Sequence, residues 1–307
     1  MFSFYDQKKI GTIFQPRFED VRKEAEALKI QASAKDKERI ALLMIDFQVD
    51  FCHGNGGTLY VPDAEIDIAN TIKFIDDNLD KITTIFASLD SHLAFQIFYS
   101  TWWVDDNGNH PAPFTIITSK DLESGKFKAV IDPIGSIEYV KKLETQSNKP
   151  LCIWPFHTMI GTPGQALDPA LYEVLFYHAI ARKSQISFLQ KGNIPQTEMY
   201  GILSPEVKIP KHPMGGFNTD FLNLVTKHDK IFISGEARSH CVLESIKQIH
   251  DFFVKSDKNV LKKIFILENC MSCVKHPTIP FEAITNAEFE TFKNSGINIL
   301  KTTDVKL

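Results

Sequence analysis

The sequence predicts an α/β protein with a three-layer α/β/α arrangement around a mostly parallel, Rossmann-like sheet. Short runs rich in Ile, Leu, Val and Phe alternate with longer segments of helical spacing from about residue 39 onward. Parallel strands need crossover connections, and helices are the usual ones. A chain of 307 residues with 43% hydrophobic residues can also bury a large core.

The predicted elements divide the chain into an N-terminal extension and one domain. We interpret residues 1–38 as a helical extension and residues 39–307 as the domain, with no internal repeat and no linker. The predicted strands are 39–45, 82–89, 186–190, 230–235, 262–267 and 297–301. The predicted helices are 18–34, 64–78, 136–145, 169–182, 218–227, 241–253 and 281–294.

Composition narrows the classes of function. A net charge of -4 without a long Lys or Arg run argues against nucleic acid and anionic membranes as partners. No apolar stretch reaches the roughly 18 residues of a membrane span, and the first residues lack the pattern of a signal peptide, so we expect a cytoplasmic protein. Five irregularly spaced cysteines indicate reduced thiols, and a catalytic thiol is therefore compatible with the composition.

An aromatic-rich insertion, residues 93–135, interrupts the strand and helix alternation. Its length is typical of a lid or a pocket wall. Trp102 and Trp103 stand between turn-forming residues, and we interpret them as pocket wall or oligomer surface, with simple core packing as the alternative. Together with the N-terminal helix, these aromatics lead us to expect a homo-oligomer.

Four polar residues follow the ends of predicted strands. Asp46, Asp90 and Lys191 each come directly after an apolar run, and Cys241 lies just beyond the turn at Gly235. Ligands of open α/β sheets bind outside the carboxyl ends of the strands. The sequence therefore predicts that these four side chains meet in one crevice.

A Cys, an Asp and a Lys in one crevice suit amide hydrolysis through a thioester. Cys241 is the candidate nucleophile because a helix start and a nearby ammonium both favour the thiolate. Asp46 would take its proton and pass it to the leaving amine. Cys241 as a buried structural thiol, and Asp46 with Lys191 as a structural ion pair, are the alternatives. His240 points away from its neighbour Cys241 at a helix start and is a poor base for it.

A second group of residues suits a divalent metal. Asp90 and His92 lie two residues apart at a strand end, and His157 follows in a loop dense in turn formers. One carboxylate and two imidazoles match Zn, Fe or Mn and leave positions for water or substrate. Polar loop residues also serve turn backbones, which is the alternative explanation.

Several motifs together resemble one known family, the nicotinamidase branch of the isochorismatase-like cysteine hydrolases. The resemblance covers residues from about Arg39 to the C-terminus, and the motifs occur in the family's order. They are Asp46-Phe-Gln-Val-Asp-Phe-Cys, Asp90-Ser-His92, Trp154-Pro-Phe-His157, Gln190-Lys191-Gly192 and Ser239-His-Cys241-Val.

The resemblance implies a role for each matching position. Asp46, Lys191 and Cys241 would form the catalytic triad, and Asp90, His92 and His157 would hold the divalent metal. The Glu236–Ala237 peptide would be cis, with the N–H groups of Ala237 and Cys241 as the oxyanion hole. Phe51 and Trp154 would sandwich the substrate ring.

The sequence departs from the family after the Asp-x-His pair. Several nicotinamidases have another histidine there, whereas this chain continues Leu-Ala-Phe-Gln-Ile-Phe98. His110 is the nearest substitute, although its surroundings are typical of an exposed turn.

The sequence thus predicts a small-molecule amidohydrolase, with nicotinamide to nicotinate plus ammonia as the leading case. A related hydrolase of another amide or N-carbamoyl compound, and a catalytically silent ligand-binding relative, are the alternatives.

Overall fold

The structure, a computed structural model, describes residues 2–147 and 149–307. Met1, in the predicted extension, and Asn148, in the predicted domain, lie outside the described residues. The strands are β1 (Ile40–Ile45), β2 (Ile82–Asp90), β3 (Trp103–Val104), β4 (Ile116–Ile117), β5 (Lys128–Ala129), β6 (Leu151–Cys152), β7 (Ser187–Lys191), β8 (Lys230–Gly235), β9 (Ile264–Leu267) and β10 (Asn298–Leu300). The α-helices are α1 (Phe18–Ala27), α2 (Val49–Cys52), α3 (Ala64–Asp77), α4 (Ser119–Glu123), α5 (Pro133–Lys142), α6 (Pro169–Arg182), α7 (Thr219–Thr226), α8 (Leu243–Lys255) and α9 (Phe281–Asn294).

A six-stranded sheet forms the centre of the molecule, in the order β10-β9-β8-β1-β2-β7. Every neighbouring pair in it is parallel. All six residues of β1 are buried, which explains their uninterrupted apolar run, since helices cover both faces of the sheet. The predicted three-layer α/β/α class is confirmed.

Two hydrophobic clusters flank this sheet because side chains alternate along each strand. Leu42 and Met44 of β1 belong to the cluster on one face, whereas Ala41, Leu43 and Ile45 belong to the cluster on the other. Residues of the N-terminal extension join the first cluster through Val21 and Ala25 of α1. The extension therefore packs as part of this helical layer, and its status as a separate unit stays a prediction.

Helix α1 is shorter than predicted. It ends at Ala27, and Lys29 adopts a left-handed φ of 49°, which a continuing helix does not allow. The expected helix at 241–253 also starts later, because Arg238–Val242 form one π-helical turn before α8 begins at Leu243. Within the described residues, no helix is both long and apolar enough to cross a bilayer.

The interpretation of Trp102 and Trp103 as oligomer surface is wrong, whereas Trp102 does border a cavity, together with residues of α5. Trp102 is 2% exposed and Trp103 is fully buried, and both belong to a third hydrophobic cluster. Their indole N–H groups donate to Ser136 Oγ at 2.9 Å and to the Ile97 carbonyl at 2.6 Å. The insertion thus packs with α5 and β6 in a small unit that contains two short antiparallel strand pairs, β3-β5 and β4-β6.

Candidate active site

The carboxyl ends of three adjacent strands supply the centre of the site. Asp46 follows β1, Asp90 ends β2 and Lys191 ends β7. These strands are neighbours in the order β1-β2-β7, and Asp90 pairs with Lys191 in register. Parallel strands bring their carboxyl ends to one edge of the sheet, so the expected convergence is present.

Lys191 lies at the centre of this group and is fully buried. Its Nζ is 2.9 Å from a carboxylate oxygen of Asp46 and 2.9 Å from one of Asp90. It also donates to the Met199 carbonyl at 3.2 Å and lies 3.6 Å from Cys241 Sγ. Burial lowers the pKa of Lys191, but the two carboxylates outweigh burial and hold it well above its usual value. Lys191 is therefore an ammonium.

Cys241 lies in the π-helical turn beside this ammonium, and its resting form differs from the expectation. Burial raises the pKa of the Cys241 thiol well above its usual value, and the carboxylates of Asp46 and Asp90 add to this increase. Lys191 acts in the opposite direction but does not compensate. The ammonium thus acts in the predicted direction, but the net result is not the expected thiolate, because desolvation is the larger effect. The resting side chain is a thiol.

Asp46 is placed to receive the proton of that thiol. It is fully buried, accepts a hydrogen bond from Ser88 Oγ at 2.6 Å, and hydrogen-bonds with Cys241. Burial raises the pKa of Asp46, and the Lys191 ammonium offsets only part of this effect. A carboxylate with a raised pKa is a stronger base, so proton transfer from the thiol to Asp46 is less uphill than transfer to an ordinary aspartate.

Asp90, His92 and His157 form a buried group whose ligand atoms all lie within 4.8 Å of one another. Asp90 Oδ2 is 2.9 Å from His92 Nε2 and 3.9 Å from His157 Nε2. Burial alone would raise the pKa of Asp90, but His92 and Lys191 hold it below its usual range. Burial lowers the pKa of His157 to about 3, so this imidazole is neutral at neutral pH.

Backbone carbonyls orient both imidazoles of this group. His92 Nδ1 is 2.9 Å from the Gly192 carbonyl, and His157 Nδ1 is 2.7 Å from the Pro155 carbonyl. Each Nδ1 therefore donates to a carbonyl, and each Nε2 faces Asp90, where it could offer a lone pair to a bound cation. Hydrogen bonds from the far ring nitrogen to a carbonyl are usual for histidines that bind metals. The donor set fits a divalent cation such as Zn, Fe or Mn.

The charge balance also fits a cation. Two buried carboxylates, Asp46 and Asp90, face the single ammonium of Lys191, and His157 is neutral. Before the imidazoles are counted, the two carboxylates thus exceed the ammonium by one negative charge in a site with little access to water. A bound divalent cation would offset that charge.

His110 does not belong to this group. It is exposed, and its Nδ1 lies 2.9 Å from the Ser100 carbonyl and 2.7 Å from the Trp103 carbonyl. The ring that instead contacts His92 from the insertion is Phe98, edge-on at 4.9 Å between centroids. The turn interpretation of His110 therefore agrees with its surroundings.

A cavity of about 570 Å³, including its open mouth, connects the two groups. Cys241 and Ala237 line it beside Asp90, His92 and His157. The Glu236–Ala237 peptide is cis, as expected from the resemblance. Phe51 and Trp154 also line it, together with apolar side chains. Asp46 and Lys191 lie outside this lining and contact its residues Cys241 and Asp90. The structure thus brings together every site residue that the resemblance implied, whereas His110 lies apart.

Three polar residues of the cavity lining were given no role in it by the sequence reasoning. Glu198 and Tyr200 line the cavity from a loop that looks featureless in sequence, and only their later position beside Trp154 makes them notable. His240 was set aside as a base, yet it lines the wall with its ring 5.9 Å from that of Trp154. Burial lowers the pKa of His240 to about 4.

Three solved structures are similar to this chain over most of its length, and two of them are nicotinamidases. A nicotinamidase/pyrazinamidase from Acinetobacter baumanii is 17% identical, with 88% of this chain and 99% of that chain covered and a TM-score of 0.55. The yeast nicotinamidase bound to the inhibitor nicotinaldehyde is 18% identical, with 85% and 99% covered and a TM-score of 0.56. A protein from L. infantum in complex with nicotinate is 18% identical, with 89% and 96% covered and a TM-score of 0.52.

At the level of sequence, no family model and no curated protein matches this chain. Identities of this size establish the fold and leave the substrate open. The alignments cover 85–89% of this chain and 96–99% of the three solved chains. The chain therefore has the fold of these three proteins.

Proposed function

We propose that this protein is a cysteine-dependent amidohydrolase whose leading substrate is nicotinamide, cleaved to nicotinate and ammonia. The observation that carries the proposal is the contact of Cys241 with both Lys191 and Asp46 on the wall of one cavity. A thiol, an ammonium and a buried carboxylate in mutual contact supply a nucleophile, a positive charge and a proton carrier. The nicotinamidases that share the fold support the choice of an amide.

The chemistry follows from the resting thiol. Asp46 accepts the Sγ proton while the sulfur attacks the amide carbonyl carbon, so a free thiolate need not accumulate. The N–H groups of Ala237 and Cys241 would stabilise the oxyanion. Asp46 returns the proton to the departing nitrogen, and ammonia leaves a thioester on Cys241. Water, deprotonated by Asp46, hydrolyses the thioester and releases the acid and the thiol.

Lys191 takes no part in the transfer of the proton. Its ammonium contacts Cys241 Sγ and is held by three oxygen acceptors, which belong to Asp46, Asp90 and the Met199 carbonyl. Its positive charge favours the ionised forms of both the thiol and Asp46, and thus lowers the cost of developing negative charge on sulfur. Lys191 itself stays protonated throughout.

Asp90, His92 and His157 would hold the divalent metal, and Zn, Fe and Mn all suit the donors. When bound there, such a metal would supply a Lewis acid for the ring nitrogen of a pyridine carboxamide. Phe51 and Trp154 would contact the faces of that ring. The apolar side chains Leu59, Val61 and Val274 in the same lining exclude water around it.

Ammonia release from a panel of amides tests this function. Wild-type protein loaded with each metal should release ammonia from nicotinamide, and Cys241→Ala should abolish the release. Cys270→Ala is the matched control, since Cys270 is a buried thiol outside the cavity lining. Turnover of another amide without turnover of nicotinamide would replace the leading substrate, and no turnover of any amide would refute the enzyme.

The homo-oligomer and the cytoplasmic location stay predictions. Exposed apolar side chains at Ile13, Phe18 and Phe188 motivate the former, since they border one surface groove. Light scattering coupled to size-exclusion chromatography measures the assembly directly.

A further inference from the structure

The loop that follows Lys191 returns to the site at residues 198–200. The carbonyl of Met199 accepts from Lys191 Nζ at 3.2 Å. Glu198 and Tyr200 flank Met199, and both line the cavity. One short segment thus contacts the catalytic ammonium through its backbone and the cavity through its side chains.

These side chains hold the indole of Trp154. Trp154 Nε1 lies 3.3 Å from Glu198 Oε1 and 3.1 Å from the Tyr200 hydroxyl. That hydroxyl in turn donates to Glu198 Oε1 at 2.6 Å. The indole N–H is therefore shared by two acceptors that are themselves joined, and this triangle fixes the rotation of the ring.

Glu198 is in turn fixed from the insertion side. It is 3% exposed, and its second oxygen accepts from the Tyr139 hydroxyl at 3.2 Å. Its backbone N–H donates to the same hydroxyl at 3.0 Å. A buried carboxylate costs free energy unless donors surround it, so Glu198 strongly favours the one arrangement in which all three donors reach it.

The hydrogen bonds of Trp154 Nε1 to Glu198 and Tyr200, called the anchor below, are the main restraint on the Trp154 side chain, because its other contacts are weaker. The rings of Phe114 and His240 meet it edge-on, with centroids 6.0 Å and 5.9 Å away. Phe114 is 58% exposed and so forms a weak wall. The indole is itself only partly buried.

We propose that Glu198 and Tyr200 are positioning residues that fix the Trp154 indole against the ring of the substrate and thereby determine substrate affinity. The proposal rests on the proposed function. Because the anchor acts on the ring and leaves the sulfur and its proton carrier untouched, its loss should raise KM and spare kcat.

Steady-state kinetics with nicotinamide tests this division. Assays are run at about pH 8.5, where Glu198 is ionised, since burial raises its pKa to about 7. Glu198→Ala should raise KM roughly tenfold and change kcat less than about twofold. Glu198→Gln keeps an acceptor for the indole N–H and should stay within about threefold of wild type in KM. A fall in kcat at unchanged KM would overturn the proposal, because it would mean that Glu198 acts through the contact of the Met199 carbonyl with Lys191.

Two further variants assign the effect to the indole. Trp154→Phe keeps an aromatic ring but lacks the N–H, so adding Glu198→Ala to it should change KM less than about twofold. Fully additive effects would refute an action through Trp154. Glu206→Gln is the matched control: Glu206 is a nearby carboxylate that pairs with Lys149, and its loss should leave KM unchanged.

A spectroscopic measurement needs no activity. Trp102 and Trp103 are buried, so the fluorescence that Trp154→Phe removes reports on Trp154. Glu198→Ala should increase acrylamide quenching of that component, and Glu198→Gln should not. Unchanged quenching would overturn the anchor even if the wild-type protein cleaves no amide, so failure of the anchor and failure of the proposed function are distinguishable.

Discussion

Replacing Lys191 by Met should destabilise the protein more than any surface change of charge. Each carboxylate contact of 2.9 Å contributes roughly 6 kcal/mol of attraction at an effective dielectric constant of about 20, before desolvation is subtracted. Met fills a similar volume but leaves Asp46 and Asp90 buried without a counter-charge. Removing one partner of a buried ion pair costs about 3–5 kcal/mol, and we expect the free energy of unfolding to fall by that amount.

Urea unfolding at neutral pH measures this difference, and the chain offers a matched control. Lys149 also bridges two carboxylates, Glu206 at 2.9 Å and Glu244 at 2.8 Å, but its side chain is 29% exposed. Lys149→Met leaves Glu244 at 17% exposure but Glu206 at only 4%, so its cost should lie between those of an exposed and a buried pair, at about 1–3 kcal/mol. A Lys191→Met protein within about 1 kcal/mol of wild type, or equal losses in the two variants, would refute the argument from burial.

Three further predictions follow from the site and the insertion. In metal-free protein, the rate of alkylation of Cys241 by iodoacetamide should keep rising above about pH 8.5, because the pKa of this thiol is raised. Peptide mass spectrometry measures the rate, and a plateau by that pH would contradict the prediction. Gly192→Ala should weaken metal binding by about tenfold or more, as measured by calorimetry, since a Cβ there would lie 2.4 Å from Asp90 Oδ1 at a φ of +78°. Gly216→Ala, with no atom within 4 Å, should bind metal normally. Trp102→Ala should lower the free energy of unfolding by about 3–5 kcal/mol, as measured by chemical denaturation, because Trp102 is a buried core residue. The kcat/KM of the folded fraction should stay unchanged, and a change in it would mean that Trp102 shapes the substrate pocket.

The centre of the site was predictable because it depends on topology alone. Asp46, Asp90 and Lys191 each end an apolar run, and the parallel sheet places those ends side by side whatever the loops do. The order of strands β1, β2 and β7 was not predictable from sequence spacing, since β7 lies about a hundred residues after β2. The convergence needed only that the three strands share one sheet.

The ionisation state of Cys241 was not predictable, because it depends on competing effects of similar size. The sequence shows the helix start and the lysine, and both favour a thiolate. It does not show how far the sulfur is removed from water, or that two carboxylates lie near it. Burial decides the balance here, and burial is a property of the packed structure.

The insertion was misinterpreted for a related reason. Adjacent Trp residues between turn formers look exposed in sequence, but β3, β4, β5 and β6 are only two residues long and give no detectable alternation. These short pairs nevertheless close a separate core around Trp102. The insertion contributes Phe98 to the cavity lining, and Tyr139 of α5, which packs in the same unit, hydrogen-bonds with Glu198; neither Trp102 nor Trp103 belongs to that lining.

Asp90 joins the two halves of the site into one electrostatic unit. Its Oδ1 contacts Lys191 and its Oδ2 contacts His92, so a single carboxylate belongs to both the catalytic and the metal-type group. The negative charge of Asp90 is one of the effects that raise the pKa of Cys241. A cation bound at Oδ2 would offset that charge and so bring the thiol closer to ionisation. The two groups are therefore coupled, since the same Asp90 carboxylate that contacts His92 also raises the pKa of Cys241.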